Sequence, residues 1–178
     1  MKIFGIGLSR TGTMSLHNAL IILGYRSHFI YEGEENLSGS LSKFDAFTHL
    51  PLVSVYKELD KRFPNSKFIL TVRKDRESWL NSCEKNMDLV IVDIKTKSED
   101  LRKILRNIYG TEEFNRELYS IAYDRHYNDV IKHFSEREND LLILDICGGE
   151  GFEKLCSFLG KPNPTQPFPQ KNSISKFI

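Results

Sequence analysis

Cysteine is scarce in this chain and never paired. Its three cysteines, Cys83, Cys147 and Cys156, lie far apart with no C-x-x-C spacing, so no zinc ribbon or redox dithiol is encoded, and each falls within or beside an apolar pattern where a free thiol packs as a small hydrophobe. That usage fits a reducing compartment. Excess charge is also missing: 25 Lys and Arg stand against 24 Asp and Glu, which leaves no overall field to draw the protein onto nucleic acid or an anionic membrane. No run approaches the ~20 apolar residues needed to span a bilayer. The opening MKIFGIGLSR is too short and too punctuated by glycine for a signal core. A cytoplasmic protein without nucleic-acid or membrane partners is expected, and any anion site in it has to be built locally.

What is present is alternation. At 178 residues with 40% hydrophobic content the chain is long enough for one well-cored domain, residues 1–178. Short apolar runs at residues 3–8, 44–50, 67–73 and 141–146 read as strands. Helical spacing follows them at 13–23, from Pro51 through 63, at 75–86, across 98–134 with a break near Gly110, and at 152–160. Pro51 suits a first helical turn, where its missing N–H costs nothing. Residues 32–43 are loop-like, and the tail from Lys161 is mostly loop. Strands alternating with helices predict a mostly parallel sheet with helices on both faces. In such sheets ligands sit outside the carboxyl ends of the strands, so the loops after residues 8, 49, 73 and 146 are the ones to search.

The first of these, GIGLSRTGTMS at residues 5–15, has the glycine spacing of an ATP- or GTP-binding loop at Gly7 and Gly12 but Thr13 where that motif has lysine. Two readings follow from the letters. One is a tight turn with Thr11 or Thr13 capping a helix. The other is an anion site, with Gly12 allowing close approach, Thr11 and Thr13 offering hydroxyls beside the first free N–H groups of the helix, and Arg10 as the cation. Farther on, Arg73, Lys74 and Arg76 place three basic residues in four positions at a strand's carboxyl end, where an arginine fork suits phosphate oxygens.

The order basic residue, Ser or Thr, Gly, Thr resembles the 5′-phosphosulfate-binding loop of the P-loop sulfotransferases, which use 3′-phosphoadenosine 5′-phosphosulfate (PAPS) as donor. Arg10 stands where many members have lysine; Thr11, Gly12 and Thr13 match, and Met14 departs from the hydroxyl residue often found next. The segment THLP, residues 48–51, resembles the KTHLP of cytosolic sulfotransferases, whose histidine is the catalytic base, with Phe47 in place of the lysine. KFILTVRKDRESWLNS, residues 67–82, resembles the strand, arginine and serine that bind the donor's 3′-phosphate. The serine usually follows the arginine by eight positions; Ser82 lies nine beyond Arg73 and eight beyond Lys74, so both remain as phosphate ligands.

The remainder, from YDRHYNDVIKHF through DLLILDI to FLG and PFP, is similar to small sulfotransferase-like proteins, so the likeness covers nearly the whole chain. It implies a three-layer α/β fold of the P-loop type, and a donor site for PAPS or its product PAP drawn from Ser9, Arg10, Thr11, Gly12, Thr13, Met14, Ser15, Arg73, Lys74 and Ser82. It also implies a small-molecule acceptor and no requirement for metal. The glycine-rich segment with which larger members cover the nucleotide is not recognisable; Lys171 or Asn172 is a substitute.

His49 as general base suits the chemistry, since its unperturbed pKa lies near neutrality and a neutral ring accepts a hydroxyl or amine proton. Asp45 is the reserve base. By the period of two it shares a strand face with Phe47 and His49, where it either works as a base of raised pKa or orients the imidazole. Two other functions compete. LLILD, ending in Asp145, resembles a strand delivering a magnesium-binding carboxylate to a kinase-like phosphotransferase, and a nucleotide-binding protein without transfer would keep the same fold. The acceptor pocket is expected from residues 25–43 and 86–97, with His28 at its border. Trp79 reads as core, and His126 and His133 stand too far apart on one helix for a shared metal.

Overall fold

The computed structural model describes residues 1–30, 39–85 and 99–170. Its centre is a five-stranded sheet of β1 (Ile3–Gly5), β2 (Ser27–Phe29), β3 (Ala46–Thr48), β4 (Lys67–Thr71) and β5 (Leu141–Leu144), in the order β2-β3-β1-β4-β5. Every described pairing is parallel. Apart from Lys67 at the start of β4, the three central strands are buried along their length, as strands with helices on both faces must be.

Register sorts the side chains onto two faces. Phe4 pairs with Phe47 on one side and Phe68 on the other, so three phenylalanine rings form a row across the sheet with centroids 5.7 and 5.3 Å apart. That face is covered by α2 (Pro51–Arg62) and by α5 (Arg116–Phe134). The opposite face carries Ile3, Ala46 and Ile69 under α1 (Thr13–Ile22) and α6 (Phe152–Leu159). A third apolar cluster joins α3 (Arg76–Glu84), α4 (Glu99–Tyr109) and α5 around Trp79, with Leu8 and Leu50 reaching into it from the loops after β1 and β3.

Local signals set several boundaries. Pro51 opens α2. Asp75 caps α3 by accepting a hydrogen bond from the Ser78 N–H at 2.7 Å, and Asn115 caps α5 by accepting from Leu118 N–H at 3.0 Å. The helical stretch expected across 98–134 divides at Gly110, whose φ of 75° ends α4. β2 departs from expectation, lying inside residues 25–43, which were read as pocket loop. Three half-buried residues, Ser27, His28 and Phe29, leave no hydropathy pattern; the strand forms because its backbone pairs with β3.

β1 sends its connection toward β2 and β3, whereas β4 sends its own toward β5 on the other side. These adjacent strands therefore open a crevice at their carboxyl ends, where this class of sheet holds ligands.

Phe68, fully buried between Phe4 and Phe134, anchors the phenylalanine row. Phe68→Ala is expected to lower stability by about 3–5 kcal/mol, read as a shifted denaturant midpoint with an unchanged slope.

Candidate active site

The loop after β1 begins by hugging β4. A Cβ on Gly7 would lie 1.9 Å from Thr71 Oγ1 and 2.6 Å from the Thr71 carbonyl oxygen, so only glycine permits this approach. Two positions then enter the left-handed region, Arg10 with φ 70° and Gly12 with φ 96°. Arg10 has no glycine's freedom, and such a conformation costs about 1–3 kcal/mol unless the surroundings impose it.

The surroundings do impose it. Trp79 Nε1 donates to the Ser9 carbonyl at 2.8 Å, Ser9 N–H donates to Tyr109 Oη at 3.3 Å, and Arg73 Nε donates to the Arg10 carbonyl at 2.7 Å. Thr11 Oγ1 donates to the Leu8 carbonyl at 2.6 Å and lies 2.6 Å from Thr71 Oγ1. Thr11 is 1% exposed, and its hydroxyl, expected beside the ligand, ties the loop to β4.

Positive potential gathers in front of the loop. Gly12 precedes α1 at the cap position, with no side-chain cap and no acidic residue in the first turn, so the helix start keeps its partial positive charge. Arg10 is partly buried; desolvation pulls its pKa down, opposed next by Cys83, with lesser effects of Arg73 downward and Cys147 upward, yet a guanidinium stays charged. Burial pushes Cys83 up to about 12 and raises Cys147, so neither thiol supplies a compensating thiolate. Arg73 makes no ion pair among the described residues and keeps its remaining donors. Lys74 faces solvent, which makes Arg73 the basic residue in contact with the loop. Ser9 and Met14 are partly exposed, Thr13 and Ser15 are buried in the first turn of α1, and Ser82 is half-buried on α3. Lys171, Asn172 and residues 86–97 lie outside the described residues.

His49 follows β3, the strand next to β1. Its φ of 101° ends the pleat, so the period of two stops at Thr48. The imidazole stacks on Phe29 of β2 with ring centroids 4.4 Å apart, and burial pushes its pKa down to about 4. Asp45 requires a correction. It sits before β3, at the amino end of the sheet, and Arg26 Nε and Nη2 hold its two carboxylate oxygens at 3.0 Å each. That pairing lowers its pKa to about 2, the reverse of what a base at this position requires. His28 stacks on Phe44 at 4.6 Å. Asp145 Oδ1 accepts from Gly148 N–H at 2.8 Å and so closes its own turn.

The sulfotransferase-domain family model matches residues 2–36 and 30–177 of this chain. The chain belongs to the sulfotransferase family. It is also 24% identical to "Ava biosynthesis cluster protein M" of Aspergillus versicolor, over 95% of this chain and 80% of that protein. In this sulfotransferase-family chain the crevice brings Arg10, Arg73 and the start of α1 together at the carboxyl ends of β1 and β4, with His49 ending the neighbouring β3. It leaves Asp45 at the far end of the sheet.

Sequence reasoning missed Trp79, Tyr109 and Thr71 as the residues that shape the loop. Trp79 was legible only as core because its apolar spacing on α3 is real: the ring is fully buried, and one indole N–H does the additional task. Trp79→Phe deletes that donor and leaves a smaller ring in a fully buried place; stability is expected to fall by about 1–3 kcal/mol in chemical denaturation, the lost hydrogen bond and the partial cavity adding.

The His49 environment has a measurable sign. With its pKa near 4 in the fold and 6.5 unfolded, the folded chain binds fewer protons between these values. Its contribution is complete above pH 6.5 and is lost as pH falls through 4. NMR titration should place the His49 midpoint near 4, and His49→Gln should flatten the loss of stability across that window.

Proposed function

We propose that this sulfotransferase-family protein moves a sulfuryl group from PAPS to the hydroxyl or amine of a small-molecule acceptor, with His49 as general base. The observation that carries the reading is the conformation of the loop after β1. Its Ser9 and Arg10 carbonyls are held by Trp79 and Arg73, and Arg10 stands beside an uncapped helix start. That donor set fits a phosphosulfate: two arginines, helix-start N–H groups and no acidic side chain in the first turn.

PAPS, when bound, supplies the activated sulfuryl group and a phosphate that departs with added negative charge. Arg10, Thr13 and the backbone N–H groups at residues 13–15 hold the phosphosulfate end, and Arg73 with Ser82 holds the 3′-phosphate. Because the loop is already pinned, these groups meet developing charge without reorganising. The neutral ring of His49 accepts the acceptor's proton. Its low pKa keeps it unprotonated through the physiological range, at the cost of a weaker base than an ordinary histidine. Arg10, Arg73 and the helix start provide the positive charge, so no metal enters the proposal.

A magnesium-dependent phosphotransferase is the less favoured reading. The carboxylate it would use, Asp145, is engaged with Gly148, and Thr13 occupies the place of the lysine that reaches outer phosphates.

Thermal shift separates the readings. PAP at about 100 times its dissociation constant should stabilise the fold by about 2.7 kcal/mol, whereas ATP with magnesium should do much less; the opposite ranking would overturn PAPS as donor. In transfer assays, His49→Ala should retain PAP binding and lose about 10²- to 10⁴-fold in rate, while Arg10→Ala should weaken both. PAP binding with no transfer by the wild type to a broad acceptor panel would point to a binding protein of this fold.

A further inference from the structure

A groove of about 270 Å³ opens between α2, α4 and α5, away from the loop after β1. It is several times the roughly 30 Å³ that one water occupies. Tyr56 lines it and is 4% exposed, yet its hydroxyl has no hydrogen-bond partner among the described residues. Buried tyrosine hydroxyls normally find one. Burial, reinforced by Asp129, raises the Tyr56 pKa to about 12, so the group stays a neutral O–H able to donate or accept.

Charges of both signs line the same groove. Lys57 lies over the Tyr56 ring at 5.7 Å. Arg125 is fixed by donating from Nη2 to the Ile108 carbonyl at 2.6 Å, and its other donors have no partner among the described residues. Asp129 forms no ion pair within 4 Å among the described residues, although both cations line its groove. His126 forms part of the floor, and its Nε2–H donates to the Ile6 carbonyl at 2.7 Å. Its other ring nitrogen is then an acceptor.

We propose that this groove is a second binding site, for a small zwitterion of the amino-acid type. Lys57 and Arg125 meet its carboxylate, Asp129 meets its ammonium, and the Tyr56 hydroxyl completes its hydrogen bonds. A simple anion would leave Asp129 opposing it, and a simple cation would face Lys57 and Arg125; a zwitterion satisfies all three charges. The site stands independently of the transfer chemistry proposed above.

The test is NMR titration of the full chain with L-alanine, and with propionate and ethylammonium as its two halves. L-alanine should give saturable shifts at Tyr56, Arg125 and His126 and bind more tightly than either half. Tyr56→Phe and Lys57→Gln should each weaken it by roughly three- to tenfold, the range for one lost hydrogen bond or exposed charge contact. Tyr56→Phe should also raise the melting temperature without ligand, because it removes a buried hydroxyl that has no partner; a hydroxyl serving only the fold would lower it. The proposal is overturned if L-alanine gives no saturable shift, if propionate binds as tightly as L-alanine, or if Tyr56→Phe binds as the wild type does.

Discussion

Two backbone carbonyls, those of Ser9 and Arg10, accept hydrogen bonds from Trp79 and Arg73, and the geometry of the crevice depends on that pair of contacts. Arg10 sits at a positive φ that an isolated loop would leave. Holding its carbonyl from the β4 side and the preceding one from α3 keeps the loop in place as α1 begins. The same two donors lie within one stretch of chain, residues 73–79, so β4 and α3 set both the distance and the orientation of the loop.

The packing explains why so little of the chain can change there. Gly7 lies against Thr71, and Thr11 bonds both Thr71 and Leu8, so the first strand, its loop and the fourth strand form one hydrogen-bonded unit. The Trp79 indole is enclosed by Tyr109, Tyr119 and Tyr123. The aromatic cluster that makes the third core is thus also the support of the loop. Removing apolar contact in this cluster and disturbing the site are, physically, nearly the same act.

Much of this organisation was legible beforehand. The apolar runs located four of the five strands because buried parallel strands are continuous in hydropathy, and Pro51 and Gly110 marked helix limits by backbone chemistry. β2 was hidden because an edge strand of three half-buried residues owes its existence to a partner. Asp45 was misplaced for a related reason. A period of two predicts a shared face, but β3 ends at Thr48, His49 turns away at positive φ, and Arg26 claims the carboxylate from a distant part of the chain.

By itself the sequence determined the alternation of strands and helices, the glycines that allow close backbone approach, and the basic residues available to an anion, because these follow from local sterics and charge. The tertiary structure decided which of those residues meet. Arg73 in place of Lys74 reaches the loop, the Thr11 hydroxyl turns inward, and Trp79 becomes a hydrogen-bond donor to Ser9. Each of these depends on atoms tens of residues apart being brought within 3 Å, and no local preference encodes such a distance.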